Sequence, residues 1–117
     1  MVLEERRNSM FKINAYNKDW FVIPVLNKYT YGNCLAISLM LEDGSCFAHL
    51  TVNLIDALEG IATLPEDCAF VDVNNAPWAE AFIKEYDLGI HLGMYVQSGF
   101  VSYPLYKFNL NKLKGNY

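Results

Sequence analysis

The chain has 117 residues, of which 53% are hydrophobic and 15% aromatic, a composition that excludes intrinsic disorder and predicts one globular domain over residues 1–117. The formal net charge of −4 gives little attraction for phosphates, so we expect no direct binding to nucleic acid. No stretch has the length and apolarity of a membrane span or a secretory signal, so we expect a cytoplasmic protein without a membrane partner, in which residues 1–9 are flexible.

The first half of the chain has the alternation typical of strands. Strands are predicted over residues 11–16 and 20–26 around a turn at 17–19, and Pro24 indicates an edge position or a bulge in the second. Two further strands, 33–42 and 45–54, flank Asp43-Gly44, a pair typical of type I′ turns. In their expected register all cross-strand pairs on one face are apolar, and on the other face Ser38 lies opposite His49. The apolar pairs are Leu41/Cys46, Leu39/Ala48, Ile37/Leu50 and Leu35/Val52.

The second half of the chain predicts most of the helix content. A short helical turn is expected over 53–60 and a strand over 69–73. The principal helix is predicted to be capped by Asn75, to carry the apolar stripe 78–86 and to end at Gly89. A glycine-rich loop over 89–99 then leads to a last strand, 100–110, with a bulge at Pro104. The predicted fold is α+β, with a mostly antiparallel sheet of five or six strands and one principal helix packed on it.

Several stretches of the chain resemble a known bacterial family. They are Leu35-Ala-Ile-Ser-Leu, Ala48-His-Leu-Thr-Val-Asn-Leu, Ala69-Phe-Val-Asp-Val-Asn-Asn-Ala-Pro-Trp-Ala-Glu-Ala-Phe-Ile and Gln97-Ser-Gly-Phe-Val-Ser-Tyr-Pro-Leu-Tyr. Over about residues 34–110 the chain resembles the proteins grouped as domain of unknown function 4313. The resemblance implies a single-domain cytoplasmic protein of gut bacteria and their mobile elements, for which an accessory or anti-defence role is expected. It implies no catalytic residue.

Few residues in the sequence suggest chemistry. The His, Cys, Asp and Glu residues lack the close pairs typical of zinc sites, so we expect neither a metal nor another cofactor. Cys34, Cys46 and Cys68 are expected to be reduced and to pack in the core. The Ser38/His49 pair is either a base beside a hydroxyl in a cleft or a cross-strand polar pair, and the second interpretation is favoured. We therefore expect a protein that is not an enzyme.

The charge is distributed unevenly along the sequence. Residues 1–41 hold five basic and three acidic residues, residues 42–87 hold one basic and ten acidic, and residues 88–117 hold three basic and none acidic. The acidic segment predicts docking to a protein partner, such as a basic nucleic-acid-binding complex, as an anti-defence inhibitor would do. The predicted contact residues are Glu42, Asp43, Asp56, Glu59, Glu66, Asp67, Glu80, Glu85 and Asp87, helped by exposed aromatic residues such as Trp78 or Tyr95.

Two other possibilities stay open at this point. The first is a small-ligand site, or the site of a minor enzyme, at the N-terminus of the principal helix, with the predicted residues Asp72, Asn74, Asn75, Trp78, His91 and Gln97. The second is a homodimer that forms through the strand 100–110, since an unpaired sheet edge invites association.

Overall fold

The computed structural model describes residues 10–30, 34–54 and 64–114. Within these ranges the chain forms two four-stranded antiparallel sheets and two short helices, which confirms the α+β class with mostly antiparallel sheet. The strands are β1 (Phe11–Ala15), β2 (Lys18–Lys28), β3 (Leu35–Leu41), β4 (Cys46–His49), β5 (Thr51–Val52), β6 (Cys68–Val71), β7 (Gly89–Ser98) and β8 (Val101–Phe108), and the helices are α1 (Ala79–Glu85) and α2 (Leu110–Leu113).

The first sheet has the strand order β1-β2-β3-β4 and contains both predicted hairpins. Tyr16 and Asn17 adopt positive φ angles of 54° and 61°, as a type I′ turn requires, so the turn comes earlier than the predicted 17–19. β1 pairs with β2 only as far as Val22. The described residues of β2 after Val22 pair with β3 alone. Pro24 lies in this part of β2, a setting in which a strand tolerates proline.

The register of the β3–β4 hairpin follows the prediction at the centre and departs from it near the turn. Two predicted pairs are present, and a bulge then brings together two residues that the prediction had placed on different faces. The two confirmed pairs are Ser38/His49 and Leu39/Ala48, and the new pair is Met40/Cys46. The side chain of Cys46 is therefore exposed, and the prediction that all three cysteines pack in the core is wrong for it.

The turn of this hairpin differs from the predicted type I′ turn. The Leu41 N–H donates to the Ser45 oxygen at 2.8 Å, and of the turn residues only Gly44 has a positive φ, of 87°. The turn is thus a three-residue loop, in which Asp43 has ordinary backbone geometry. The Asp43 carboxylate accepts from the hydroxyl and the backbone N–H of Ser45, at 2.5 and 2.9 Å, and these two bonds lower the pKa of Asp43.

Leu50 joins the two sheets and divides the predicted strand 45–54. Its side chain is fully buried, its N–H donates to the Ile37 oxygen in β3 at 2.9 Å, and its oxygen accepts from the Asp72 N–H, after β6, at 3.0 Å. Because the backbone of one residue bonds to both sheets, the chain bends there, and β5 pairs with β6 instead of β3. The prediction of one sheet with five or six strands is therefore wrong. Most of the predicted helical turn 53–60 lies outside the described residues.

The second sheet has the strand order β5-β6-β8-β7. The predicted glycine-rich loop 89–99 is largely the strand β7, and its glycines at 93 and 99 adopt positive φ at a bulge and at the β7–β8 turn. The irregularity predicted at Pro104 lies on the neighbouring strand, where the register shifts between His91 and Tyr95. β8 pairs with β7 on one side and, from Leu105 to Lys107, with β6 on the other, so among the described residues only the first half of the predicted strand 100–110 has an unpaired side.

The lead into α1 is built by Asp72 instead of the predicted cap Asn75. The Asp72 carboxylate accepts from the backbone N–H of Asn75 at 3.3 Å and from its side-chain amide at 3.0 Å. The helix begins later, at Ala79, and its N-cap residue Trp78 forms no side-chain capping bond. Asp72 thus accepts from the backbone N–H three residues later, which is the type of donor that an N-cap side chain satisfies at the start of a helix.

The end of α1 also differs from the prediction. Asp87 has a φ of 53°, and the Leu88 N–H donates to the Ile83 oxygen at 2.9 Å, so the left-handed residue that ends the helix is Asp87. Gly89 already belongs to β7. A Cβ atom on Gly89 would lie 2.9 Å from the Lys107 oxygen in β8, so this position needs glycine because the two strands approach closely there.

The buried apolar residues of the described ranges form two clusters. The larger one contains buried residues of β1, β2, β3, β6, β8 and both helices, and the smaller one is formed by Leu54, Cys68, Phe70, Tyr103 and Leu105. Successive residues of β6 alternate between the clusters, which is why all four positions of β6 are buried. Burial, with a smaller contribution from Asp67, raises the pKa of the Cys68 thiol to about 11. None of the described helices is long and apolar enough to cross a membrane.

Candidate functional site

Exposed apolar side chains concentrate on one edge of the second sheet. Of the eight large hydrophobic residues that are exposed in the described part of the chain, five belong to β7 or to its turn with β8. We call these five residues, Ile90, Leu92, Met94, Tyr95 and Phe100, the β7 surface. The Phe100 side chain is wholly accessible, so its contribution to folding is small and its apolar character needs another reason.

The topology explains why these side chains are exposed. Among the described residues β7 pairs only with β8, and β6 covers β8 only from Leu105 to Lys107. The turn end of the β7–β8 hairpin therefore extends past the paired part of β6. Residues 92–94 form the bulge, in which Gly93 has a φ of 78°, and two of the surface residues project from it.

The bulge is held by the side chain of His91. The Gly93 N–H donates to His91 Nδ1 at 2.8 Å, so the neutral imidazole carries its proton on Nε2 and donates it to the Tyr95 hydroxyl, 3.0 Å away. The imidazole also contacts the Tyr106 ring, with a centroid distance of 5.1 Å. His91 thus fixes the backbone that presents the β7 surface.

His91 also connects the bulge to α1, because the Tyr106 ring that it contacts is bonded to Glu80 in that helix. The Tyr106 hydroxyl donates to the Glu80 carboxylate at 2.5 Å. Burial, and secondly the hydrogen bond to Glu80, raise the pKa of Tyr106 well above its usual value. The Tyr106 hydroxyl therefore keeps its proton at neutral pH, and its bond to Glu80 orients β8 and α1 relative to each other.

The residues of the predicted ligand site are distributed over several places. Asp72 is buried and bonds to Asn75, and Asn74 is exposed beside them. His91 lies in β7 at the bulge, and the Gln97 amide donates to the Gly99 oxygen near the hairpin turn.

Trp78, predicted as an exposed contact residue, is half-buried. Its ring packs against Phe47 and Phe82, and its indole N–H donates to the Tyr16 hydroxyl at 3.2 Å. The other predicted aromatic contact, Tyr95, is exposed.

The predicted polar pair Ser38/His49 is present, and Asp72 lies near it. Ser38 Oγ and His49 Nδ1 are 3.1 Å apart. Both residues line a cleft of about 380 Å³ where the two sheets meet, and Asp72 lines the same cleft. Within the described ranges, no three His, Cys, Asp or Glu residues are grouped as a metal site would require.

The acidic residues of the central segment are interspersed with lysines from both ends of the chain. Asp87 forms an ion pair with Lys112 at 3.2 Å, and Glu66 shares a cavity with Lys28 and Lys114. Glu42 and Asp43 likewise line a cavity with Lys18. Of the other described acidic residues in the predicted set, Asp67 accepts a bond from the Cys68 thiol, Glu80 accepts from the Tyr106 hydroxyl, and Glu85 is exposed on α1. Asp56 and Glu59 lie outside the described residues.

The sequence interpretation named only one residue of the β7 surface. Ile90, Leu92 and Met94 alternate with other residues at a period of two, which is the pattern of a strand with one apolar face. The neighbouring glycines outweighed that signal and favoured a loop. Phe100 gives no comparable signal, because only the tertiary structure shows that the side chain of this turn residue has no cover.

Taken together, the fold and its exposed edge define a small α+β domain of two antiparallel sheets with an apolar edge strand. The model of the family described as Domain of unknown function (DUF4313) matches residues 25–116, and the chain belongs to that family. This confirms the resemblance seen in the sequence and extends it to the last residues of β2 and to α2. No curated protein and no solved structure matches the chain.

Proposed function

We propose that this chain is a non-enzymatic protein-interaction domain that binds its partner through the β7 surface. The observation that carries the proposal is an edge strand of ten residues without lysine, proline or carboxylate, from which four large apolar side chains project. Natural proteins protect sheet edges with charges, proline or short strands, because an open edge pairs with other chains.

The other outer strands differ from β7 in these respects. β1 carries Lys12 on its exposed side, and β4 and β5 contain four and two residues. Among the described strands β7 is thus the longest outer one, and it carries no charged residue. Its one protective feature is the bulge at 92–94, which limits regular pairing to the segments on either side of it.

The proposed mode of binding is the addition of a partner strand to β7. The outward backbone groups of β7 would bond to an extended segment of the partner, and the apolar side chains would fill pockets between its residues. Backbone bonding supplies affinity that depends little on sequence, whereas Tyr95 and Phe100 supply the large side chains on which specificity depends.

The class of partner is proposed from the sequence. A basic nucleic-acid-processing protein, as an anti-defence inhibitor would bind, suits the ten carboxylates of residues 42–87. Since several of these carboxylates lie beside lysines, the apolar edge is the stronger support for an interaction. We place the interaction in the cytoplasm, where the exposed thiol of Cys46 would stay reduced.

Site-specific photocrosslinking in the native host tests the proposal. A photoreactive phenylalanine at position 92 or 100 is expected to capture one partner, and the same group at Ile23, an exposed apolar residue of the first sheet, is expected not to. The captured protein is then purified, and its Kd is measured for the wild type, Ile90→Lys and the control Ile23→Lys. The proposal is supported if Ile90→Lys weakens the affinity for the captured protein by about tenfold or more and Ile23→Lys does not. Equal affinities for both variants, or no capture from β7, would refute it.

A further inference from the structure

The cleft between the two sheets has walls of mixed character. It measures about 380 Å³ and is lined by both apolar and polar residues. We call it the junction cleft and define it by its nine lining residues: Tyr29, Ala36, Ile37, Ser38, His49, Thr51, Val52, Asn53 and Asp72. None of these belongs to the β7 surface, so the cleft is a separate feature of the molecule. Pockets of this size, with a few convergent polar groups, are typical of small-molecule sites.

The hydroxyl groups of the cleft are held in fixed positions. Thr51 is 2% exposed, and its hydroxyl oxygen accepts from the Ile37 N–H at 3.0 Å and lies 2.9 Å from the Tyr29 hydroxyl. Ser38 and His49 form the second polar pair, through Nδ1 of the imidazole. Among the described residues His49 Nε2 has no hydrogen-bond partner, so it can donate to or accept from a molecule in the cleft.

Asp72 gives the cleft a buried negative charge. The residue is 7% exposed, and its carboxylate is bonded by the two donors of Asn75, both uncharged. The carboxylate also lies close enough to Tyr29 to contribute, after burial, to raising the pKa of its hydroxyl. The nine lining residues include no lysine or arginine, and within the described ranges Asp72 forms no ion pair. A buried carboxylate is strongly stabilised by a cation placed beside it.

We propose that the junction cleft binds a small amino alcohol, with its ammonium group on Asp72. The hydroxyls of the ligand would bond to the polar groups of Tyr29, Thr51 and His49, and its carbon atoms would contact the half-buried apolar residues Ala36 and Val52. An anionic metabolite is disfavoured because the carboxylate repels it and none of the nine described lining residues carries a cationic side chain. The site uses none of the residues on which the β7 interaction depends.

The proposal is tested by titrating the full chain with 2-amino-1,3-propanediol and recording backbone amide chemical shifts. Saturable shifts at residues 29, 51 and 53 are expected, with an affinity at least about tenfold greater than for glycerol, which has a hydroxyl where the probe has its ammonium group. Glycolate, an anion of similar size, is expected to cause no shift at these residues. Absence of saturable shifts with the amino alcohol, or equal affinity for glycerol, would overturn the proposal.

Variants separate the role of the charge from that of the fold. Asp72→Asn keeps an oxygen that can accept from Asn75, and it is expected to weaken binding of the amino alcohol by about tenfold or more. Asp43→Asn, in the β3–β4 turn, is the matched control and should leave the affinity unchanged. If Asp72→Asn does not fold, Tyr29→Phe and His49→Ala decide the question, and unchanged affinity in both overturns the proposal. Ile90→Lys should bind the probe like the wild type, so failure of the cleft and failure of the β7 interaction are distinguishable.

Discussion

Replacing Gly89 with alanine tests whether the close approach of β7 to β8 positions the β7 surface. A Cβ atom there would lie 2.9 Å from the Lys107 oxygen, 3.3 Å from Phe108 Cδ1 and 3.5 Å from Ile83 Cγ2. The first distance is well below the usual separation of carbon and oxygen, and it involves backbone, which has no rotamer to change. The two strands would have to move apart at the end of β7 that packs against α1.

The magnitude follows from two opposing effects. Overpacking of this kind costs about 1–3 kcal/mol. Alanine also reduces the conformational entropy of the unfolded chain, which returns about 0.4–1 kcal/mol. We expect a net loss of about 1–2 kcal/mol in the free energy of unfolding. For a chain of 117 residues the entropy of unfolding is about 0.25 kcal/mol/K, so the Tm should fall by about 4–8 °C.

The assay combines thermal and urea unfolding with binding to the partner captured through β7. Gly44→Ala is the control: its φ of 87° makes alanine strained, at about 1–2 kcal/mol, but a Cβ there meets no atom within 4 Å. The two variants should lose similar stability, and only Gly89→Ala should weaken partner binding. A Gly89→Ala protein as stable as the wild type, with unchanged amide shifts in β7 and β8, would refute the reasoning.

Three further predictions concern groups with defined hydrogen bonds or shifted pKa values. Tyr106→Phe removes the donor to a half-buried carboxylate and should cost about 1–2 kcal/mol in urea unfolding, whereas Tyr103→Phe on the same strand, whose hydroxyl bonds to none of the described residues, should cost less than about 0.5 kcal/mol. The pKa of the Cys68 thiol is about 11 in the folded chain and about 9 in the unfolded chain, so the unfolded chain loses the thiol proton at lower pH. The stability that this difference contributes is fully present below pH 9 and is lost as the pH rises to about 11. Cys68→Ala should therefore flatten the fall of Tm between these two pH values. Ser45→Ala should raise the pKa of Asp43 in an NMR titration, because the two bonds that lower it most come from Ser45 and the substitution removes the hydroxyl bond.

Local pairing was predictable where short-range pattern decides the structure. The alternation in residues 35–39 and the turn residues after them predicted the centre of the β3–β4 register, because side chains on the wrong face would expose the apolar set. The shift at Met40 was not predictable in the same way. The shift depends on the bond between the Asp43 side chain and Ser45, which the predicted two-residue type I′ turn does not contain.

The division into two sheets was beyond sequence pattern for a different reason. Leu50 has the sequence pattern of an ordinary strand residue, and its role depends on its backbone bonds to Ile37 in β3 and to Asp72 just after β6. Likewise, the acidic segment is real in sequence, but Lys112 and Lys114 come from a segment with no acidic residue and lie beside its carboxylates in the folded chain. Charge counted along the chain therefore overstates the charge of a surface.

The bulge in β7 gives the proposed interaction its selectivity. An edge strand of ten uninterrupted residues would pair with almost any extended chain, since backbone bonds dominate such contacts. His91 holds Gly93 in a conformation that interrupts the ladder, so a partner must match two short segments on either side and accommodate the side chains that project between them. Because the imidazole accepts the Gly93 N–H through Nδ1, His91→Ala should loosen this break. The expected result is faster hydrogen exchange at the Gly93 amide and more self-association, measured by light scattering, and a variant with neither change would show that the bulge is set by the glycine alone.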